Sequence, residues 1–293
     1  MRQVSRGRAL ALAAGVAALA SIAPPSSAAT IMSDNFSGDT VGGGAPANYG
    51  TGGVAGGITL NVVDDTNNLA TGGANALSGA VTASTSYASR AFTAQTLGVG
   101  DSITVGFDVR ISSPASPTSG DRIFRFGLYN STASSLGFTG RLDTGANGGN
   151  TYDIFRSISI FNTTTASGSA SLVSGTAADA QLDDNVVRHV TMTIARDGTG
   201  AHGTLTVQEG SNAPVSIGPS TLNAAPPDTS YWTLDQFVIG FNGTAGAPGI
   251  GGAPAETFFL DNVIVAFNPV PEPTSLCAIA GIGAGLLGRR RRQ

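Results

Sequence analysis

A strict alternation of apolar and other residues constrains the fold of this chain more than any other feature. In residues 102–111 every second residue is a large apolar one, and polar residues or glycine stand between them. Successive side chains of a strand point to opposite faces, so this pattern predicts a strand with one buried and one wet face. Residues 122–129 repeat it, with Phe124, Phe126 and Leu128 on one face and Arg125 and Tyr129 on the other.

Further strands follow along the chain, and no amphipathic helix of useful length accompanies them. They are predicted at residues 152–161, 186–196, 202–209, 232–241 and 258–267. The Asp-Gly-Thr-Gly sequence at 197–200 predicts a hairpin, and a phase shift between Leu234 and Phe237 predicts a bulge. In the last strand the alternation places five residues on one face, namely Phe259, Asp261, Val263, Val265 and Phe267.

The regions between these strands are rich in Gly, Pro, Ser and Asn, and they are predicted as loops. The predicted loops cover residues 112–120, 167–184 and 243–255, and residues 40–57 form a long Gly-rich stretch after the first strand. Many short strands without helices are typical of an all-β fold, here a two-sheet antiparallel jelly-roll sandwich.

The N-terminal residues have the features of a secretory signal peptide. Arg2, Arg6 and Arg8 precede an apolar run at 9–23, and small residues at 27–29 form a cleavage site after Ala29. This predicts an N-terminal signal helix that is removed on export. The alternative, an uncleaved membrane helix, suits the run less well because it is short for a span.

The C-terminal residues form a second unusual segment. Pro271, Glu272 and Pro273 are followed by an apolar stretch at 275–288 and a terminal basic block, which consists of Arg289, Arg290, Arg291 and Arg292. The apolar stretch predicts a short transmembrane helix, and the arginines predict that its end stays cytoplasmic while the body is exported. A disordered basic tail, the alternative, would expose several leucines and isoleucines to water.

In order and spacing, this tail resembles the PEP-CTERM sorting domain of Gram-negative bacteria. The resemblance implies export, an intermediate tethered to the inner membrane by the tail, and recognition by an exosortase-type processing enzyme. It also implies a final place at the cell surface or in the extracellular matrix, in association with exopolysaccharide and biofilm. Cys277 in the apolar stretch departs from the usual Leu or Ala and is interpreted as a small hydrophobe.

The domain organisation follows from these two ends. Residues 1–29 are the signal peptide, 30–268 the body and 269–293 the tail. The body has eight arginines, no lysine and eighteen acidic residues, so its formal charge is −10. Such an acidic body is unsuited to nucleic acid. It also has no cysteine, so its stability has to come from core burial.

A second, weaker resemblance spans the body. It rests on four short segments at residues 34–36, 125–129, 237–241 and 260–265. Together they are similar to the concanavalin A-like jelly roll of laminin-G type. The resemblance implies that the first and last strands lie near each other, and that the body binds glycan or matrix.

The sequence contains no recognisable catalytic motif. Glycosidases need two carboxyl groups across the scissile bond, but Glu209 and Glu256 stand in unrelated segments. His189 and His202 are predicted to be ordinary strand and hairpin residues. A polysaccharide lyase using Arg125, Tyr129 and His189 stays open as an alternative. The body is therefore predicted to be non-enzymatic.

Two kinds of binding site are suggested by residue type. No cofactor is required, but calcium is an option because Asp64 with Asp65, and Asp183 with Asp184, offer clustered oxygens. Ordinary turns, which Asp and Asn favour, are the simpler explanation of these residues. Sugars are bound by aromatic rings and planar polar groups, which makes Arg125, Tyr129 and Tyr231 candidates. Trp232, which is in phase with Leu234, is predicted to lie in the core.

The sequence therefore predicts an exported, non-catalytic β-sandwich that is sorted through its tail and associates with polysaccharide. A purely structural or adhesive surface protein is the first alternative. A polysaccharide-degrading enzyme is the second.

Overall fold

A computed structural model describes the body of the chain. The described residues are 27–53, 55–65, 75–82, 86–112, 122–132, 136–146, 152–161, 170–172, 186–224, 229–242 and 256–270. They form one compact unit, Ser27–Val270, apart from the gaps between these ranges. Residues 1–26 of the predicted signal peptide, the predicted sorting tail from Pro271 onwards, and Asp183 and Asp184 lie outside the described residues. Within the described part there is no helix with the length and apolar character to cross a membrane.

The described residues are almost entirely strands. In chain order these are β1 Ala29–Asp34, β2 Tyr49–Gly52, β3 Ile58–Asp64, β4 Asn75–Val81, β5 Tyr87–Thr96, β6 Ser102–Ser112, β7 Arg122–Asn130, β8 Leu136–Ala146, β9 Tyr152–Phe161, β10 Ala170–Leu172, β11 Arg188–Asp197, β12 Gly200–Glu209, β13 Val215–Ala224, β14 Thr233–Asn242 and β15 Glu256–Asn268. A 3-10 turn, Thr229–Trp232, precedes β14.

These strands form two antiparallel sheets. Sheet A has the order β13-β12-β11-β6-β15-β4-β3, with β1 also paired to β15, and sheet B has the order β10-β9-β8-β7-β14-β5-β2. The chain crosses repeatedly from one sheet to the other, as in β4 to β5 to β6 to β7. The fold is thus a two-sheet antiparallel jelly-roll sandwich, as the alternation of the sequence predicted.

The predicted local features are found in the strand register. Residues 188–197 pair with 200–209 in a tight hairpin, and β14 shifts its register on β5 between Leu234 and Gln236. The first and last strands are neighbours, with Ala29 opposite Phe267. The hairpin, the bulge and the terminal pairing are therefore confirmed.

The core lies between the sheets and consists of the inward residues of both. In β6 the five alternating apolar residues of the sequence pattern are at most 3% exposed. Phe107 of sheet A meets Phe126 and Phe237 of sheet B at ring-centroid distances of 5.0 and 5.6 Å. Aromatic contacts across the sandwich therefore join the two sheets.

Two sequence expectations are wrong. Residues 167–184, predicted as a loop, contain the strand β10, and the Gly-rich stretch at 40–57 includes the strand β2. In β15 the five residues 259, 261, 263, 265 and 267 do not share a face. The register of β15 on β6 shifts between Asp261 and Ile264, and Asn262 has a φ of 50°. Phe258 and Leu260 therefore face the core before this bulge, and Val263 and Val265 face it after.

Candidate functional site

A cross-strand row of residues runs over the outer face of sheet B. Gly52 of β2 lies opposite Tyr87 of β5, Tyr87 lies opposite Gly240 of β14, and Gly240 lies opposite Arg125 of β7. Neighbouring strands are about 4.8 Å apart, so Tyr87 and Arg125 stand about 10 Å apart with only a glycine between them. The row places an aromatic ring and a guanidinium group on one surface.

Tyr87 lies flat on the sheet because its neighbour has no side chain. A Cβ atom at Gly52 would lie 2.3 Å from Cζ of the Tyr87 ring, so the ring occupies the space above this glycine. Tyr87 is half-buried, and no described residue forms a hydrogen bond with its hydroxyl group. One ring face is thus supported by the sheet, and a polar group is left for a ligand.

Tyr129, a predicted sugar-binding residue, also lies over a glycine, but its ring is buried. A Cβ atom at Gly127 would lie 2.6 Å from Cε2 of its ring, and the residue is only 7% exposed. Its hydroxyl is 2.7 Å from Oγ1 of Thr139. Burial raises the pKa of Tyr129 to about 12, against the opposing effects of this hydrogen bond and of nearby Arg125. Tyr129 therefore supports the surface beside Arg125 and offers no open ring face.

The part of this surface formed by the described residues of β2, β5, β7 and β14 carries few negative charges. Among the described side chains of β2, β5, β7 and β14, the single carboxylate is Asp235. It accepts hydrogen bonds from the backbone N and Oγ of Ser131, at 2.7 and 2.6 Å. This part of the face therefore lacks the paired carboxyl groups that glycoside hydrolysis uses.

The third predicted sugar-binding residue, Tyr231, is 2% exposed and likewise presents no open ring face. Its neighbour Trp232 is 6% exposed and belongs to the core cluster, which confirms that prediction. The guanidinium of Arg196 covers the Trp232 ring at 4.4 Å from its centroid. The structure thus brings Arg125 and Tyr129 together and places Tyr231 elsewhere.

Asp64 and Asp65, the predicted metal ligands that the structure describes, do not come together in a metal site with other described residues. Asp64 is exposed at the end of β3, whereas Asp65 is buried with Oδ1 at 3.5 Å from Nη2 of Arg110. In the described residues no group of three or more His, Cys, Asp or Glu side chains could hold a metal ion. The calcium option for Asp183 and Asp184 falls outside the described ranges and stays a prediction.

Both histidines are paired with aspartates. Nδ1 of His189 contacts Oδ1 of Asp108, its cross-strand neighbour in β6. Nε2 of His202 lies 2.7 Å from Oδ2 of Asp197 in the hairpin turn. Hydrogen bonds from Thr199 lower the pKa of Asp197, with a further contribution from His202. Neither histidine contacts Arg125 or Tyr129, so no lyase-like group of the three residues is assembled.

A second polar cluster surrounds the bulge of β15. We call Asp34, Asp65, Asp108 and Asp261 the bulge acids. Asp261 is 1% exposed, and burial raises its pKa to about 6, with the nearby Asp108, Asp65 and Asp34 adding to the rise. The sequence analysis did not identify Asp261 as a buried acid, although the interruption of an apolar strand by Asp261-Asn262 is a recognisable signal. It also missed Tyr87, because only the pairing of distant strands shows that this residue lies in one row with Arg125.

No family model and no curated protein sequence matches this chain. Among solved structures it is similar to an endo-1,3-beta-glucanase from Streptomyces sioyaensis, with 12% identity, a TM-score of 0.49, and coverage of 84% of this chain and 99% of the other. It is also similar to winged bean acidic lectin, with 12% identity, a TM-score of 0.46, and coverage of 82% and 99%. It is similar as well to lectin II from Ulex europaeus, with 15% identity, a TM-score of 0.46, and coverage of 82% of this chain and 100% of the lectin. Similarity at this level carries no argument about activity.

Proposed function

We propose that this protein is an exported, non-catalytic β-sandwich that associates with polysaccharide through the outer face of sheet B. The observation that carries the proposal is the row Gly52, Tyr87, Gly240 and Arg125. A tyrosine ring that lies flat on a sheet can stack against the apolar face of a sugar ring, while guanidinium and hydroxyl groups bind its oxygens. Because Gly52 and Gly240 have no side chains that project from the sheet, an extended polysaccharide chain has room to lie across the row.

The non-catalytic part of the proposal is supported by the side chains of the same face. Acid–base chemistry on a glycosidic bond needs a positioned proton donor and acceptor. On the described parts of β2, β5, β7 and β14, Asp235 is engaged with Ser131, and both histidines lie elsewhere. These observations favour binding over cleavage.

The export part of the proposal is supported by the two ends of the sequence. The signal peptide before Thr30 directs secretion. The tail from Pro271 tethers the protein to the inner membrane until an exosortase-type enzyme processes it, and the body then reaches the surface or matrix. Cell fractionation tests this: deletion of residues 289–292 should trap the protein before processing, and unchanged processing would contradict the sorting proposal.

The binding proposal is tested by affinity electrophoresis of the purified protein against the polysaccharide of its own host. We expect retardation, and we expect Tyr87→Ala to weaken binding by between about twofold and tenfold, since an aromatic contact contributes about 0.5–1.5 kcal/mol. Phe259→Ala is the matched control, because it removes a half-buried ring from the outer face of sheet A. Equal loss in both variants would contradict the placement of the site.

A purely structural or adhesive protein is the alternative, favoured by the broad burial on the β7–β8 part of the face, where Tyr129 and Thr139 are 7% and 2% exposed. It predicts self-association without any retardation by glycan. New reducing ends or unsaturated products after incubation would instead indicate an enzyme and overturn the non-catalytic proposal.

A further inference from the structure

The strand β15 changes its neighbour at the bulge. Residues up to Leu260 pair with β4, whereas residues from Val263 onwards pair with β1. Between these two stretches lie Asp261 and Asn262, at the point where the register on β6 also shifts. The attachment of β1 to sheet A therefore begins directly beside Asp261, with Asp34 opposite Val263.

Carboxyl groups from four segments converge on this point. Asp261 lies opposite Asp108 of β6, and both are buried, at 1% and 6% exposure. Asp34 comes from the end of β1, and Asp65 follows β3. Asn262 links two of these groups, since its backbone N donates to Oδ1 of Asp261 at 2.7 Å and its Nδ2 donates to Oδ2 of Asp108 at 2.8 Å.

Three of the bulge acids have a basic partner, and Asp261 has none among the described residues. Arg90 of β5 pairs with Asp34, Arg110 of β6 with Asp65, and His189 of β11 with Asp108. Oδ2 of Asp261 is buried without a hydrogen-bond partner. Ionisation of Asp261 adds an uncompensated buried charge.

We propose that the bulge of β15 is a pH-sensitive junction, at which protonation of Asp261 keeps β1 paired with β15 and ionisation of Asp261 loosens that pairing. The charged form is unfavourable because the site is desolvated and faces Asp108, Asp65 and Asp34, which is also why its pKa rises from 3.8 to about 6. The proposal does not depend on glycan binding.

The sign of the effect follows from proton linkage. An acid whose pKa is raised by folding stabilises the folded form below its unfolded pKa, and this stabilisation is lost as the pH rises through the folded value. With values of 3.8 and about 6, the opening constant of the junction should rise about tenfold between pH 5 and pH 8. The junction is therefore tight in acidic surroundings and looser in neutral or alkaline ones.

Hydrogen exchange of the full-length protein tests this junction. The amides of residues 32–34 and 263–265, corrected for intrinsic exchange, should lose about tenfold protection between pH 5 and pH 8. Asp261→Asn should remove most of this loss and give higher protection than the native protein at pH 8. Asp197→Asn is the control, because the pKa of that exposed carboxyl is lowered instead of raised.

Two outcomes would overturn the proposal. One is an identical pH profile for the native protein and Asp261→Asn. The other is an increase in protection at pH 8 on adding calcium chloride that requires Asp261, because a cation would then be the counter-charge in place of the proton. Should Asp261→Asn fail to fold, a carbon-13 titration of the Asp261 carboxyl in the native protein decides, since a pKa near 4 would contradict the proposal.

Discussion

At the scale of single residues, glycines decide where aromatic rings can lie. A Cβ atom at Gly79 of β4 would lie 2.2 Å from Cζ of Phe258 in β15, and Phe258 is fully buried. Tyr87 over Gly52 and Tyr129 over Gly127 repeat the arrangement on the outer face of sheet B. Glycine is required at these positions because a ring, not solvent, fills the space of its missing side chain.

We therefore expect Gly79→Ala to destabilise the body. The added methyl group forces the Phe258 ring or the β4 backbone to move, which costs about 1–3 kcal/mol in a packed core. Urea denaturation measures the change. Gly198→Ala is the control, since a Cβ atom there has no neighbour within 4 Å. Equal stability of the two variants would show that the ring yields without strain.

At the scale of elements, hydrogen bonds connect the chain just after β15 to the turn before β6. The backbone N of Val270 donates to Oδ1 of Asp101 at 2.7 Å, and that of Gly98 donates to Oδ2 at 2.8 Å. Arg196 of β11 continues this network, because its backbone N donates to the carbonyl oxygen of Asp101 at 3.0 Å. These hydrogen bonds thus hold the chain at Val270, two residues beyond the end of β15.

Removal of this carboxylate should release the chain end. We expect Asp101→Ala to destabilise the body by about 2–3 kcal/mol, since hydrogen bonds to a charged acceptor contribute about 1.5–3 kcal/mol each and do not add fully. Asp101→Asn keeps one acceptor oxygen and should lose less. Denaturation together with hydrogen exchange at the Val270 amide measures both effects. An unchanged hydrogen-exchange rate at the Val270 amide in Asp101→Ala would contradict the proposed contribution of Asp101 to holding the chain end.

At the scale of the whole molecule, an ion pair joins the two sheets. Asp34 of β1 and Arg90 of β5 both face the interior and contact each other, with side chains 15% and 13% exposed. Burial raises the pKa of Asp34 in spite of the lowering effects of the Phe36 amide and Arg90. We therefore expect the pair to help fix how the two sheets meet while contributing little net stability.

A double-mutant cycle tests this interpretation. We expect Asp34→Leu or Arg90→Met alone to cost about 3–5 kcal/mol, because each leaves a buried charge without its partner. The double variant should lose much less than the sum of the two. Urea denaturation of the four proteins gives the coupling energy. Simple additivity would mean that the two side chains are independent.

Much of the architecture was predictable because it depends on local periodicity. The strands β6, β7, β11, β12, β14 and β15 were found from their alternation, and the hairpin at residues 197–200 from its turn residues. The short strand β2, with the sequence Tyr-Gly-Thr-Gly, was missed because it gives no clear alternation of large apolar residues. The prediction that residues 259 to 267 of β15 alternate in one unbroken pattern was wrong, because the bulge after Asp261 changes which residues face the core beyond it.

The sequence by itself determined that this chain is a β-sandwich, because a period of two can bury one face only in sheets. It also supplied every prediction about export and sorting. The tertiary structure alone decided which residues meet. Tyr87 and Arg125 are 38 positions apart and stand in one row only because β14 lies between their strands. The bulge acids likewise gather through strand pairing between distant segments, and no local pattern encodes such pairing.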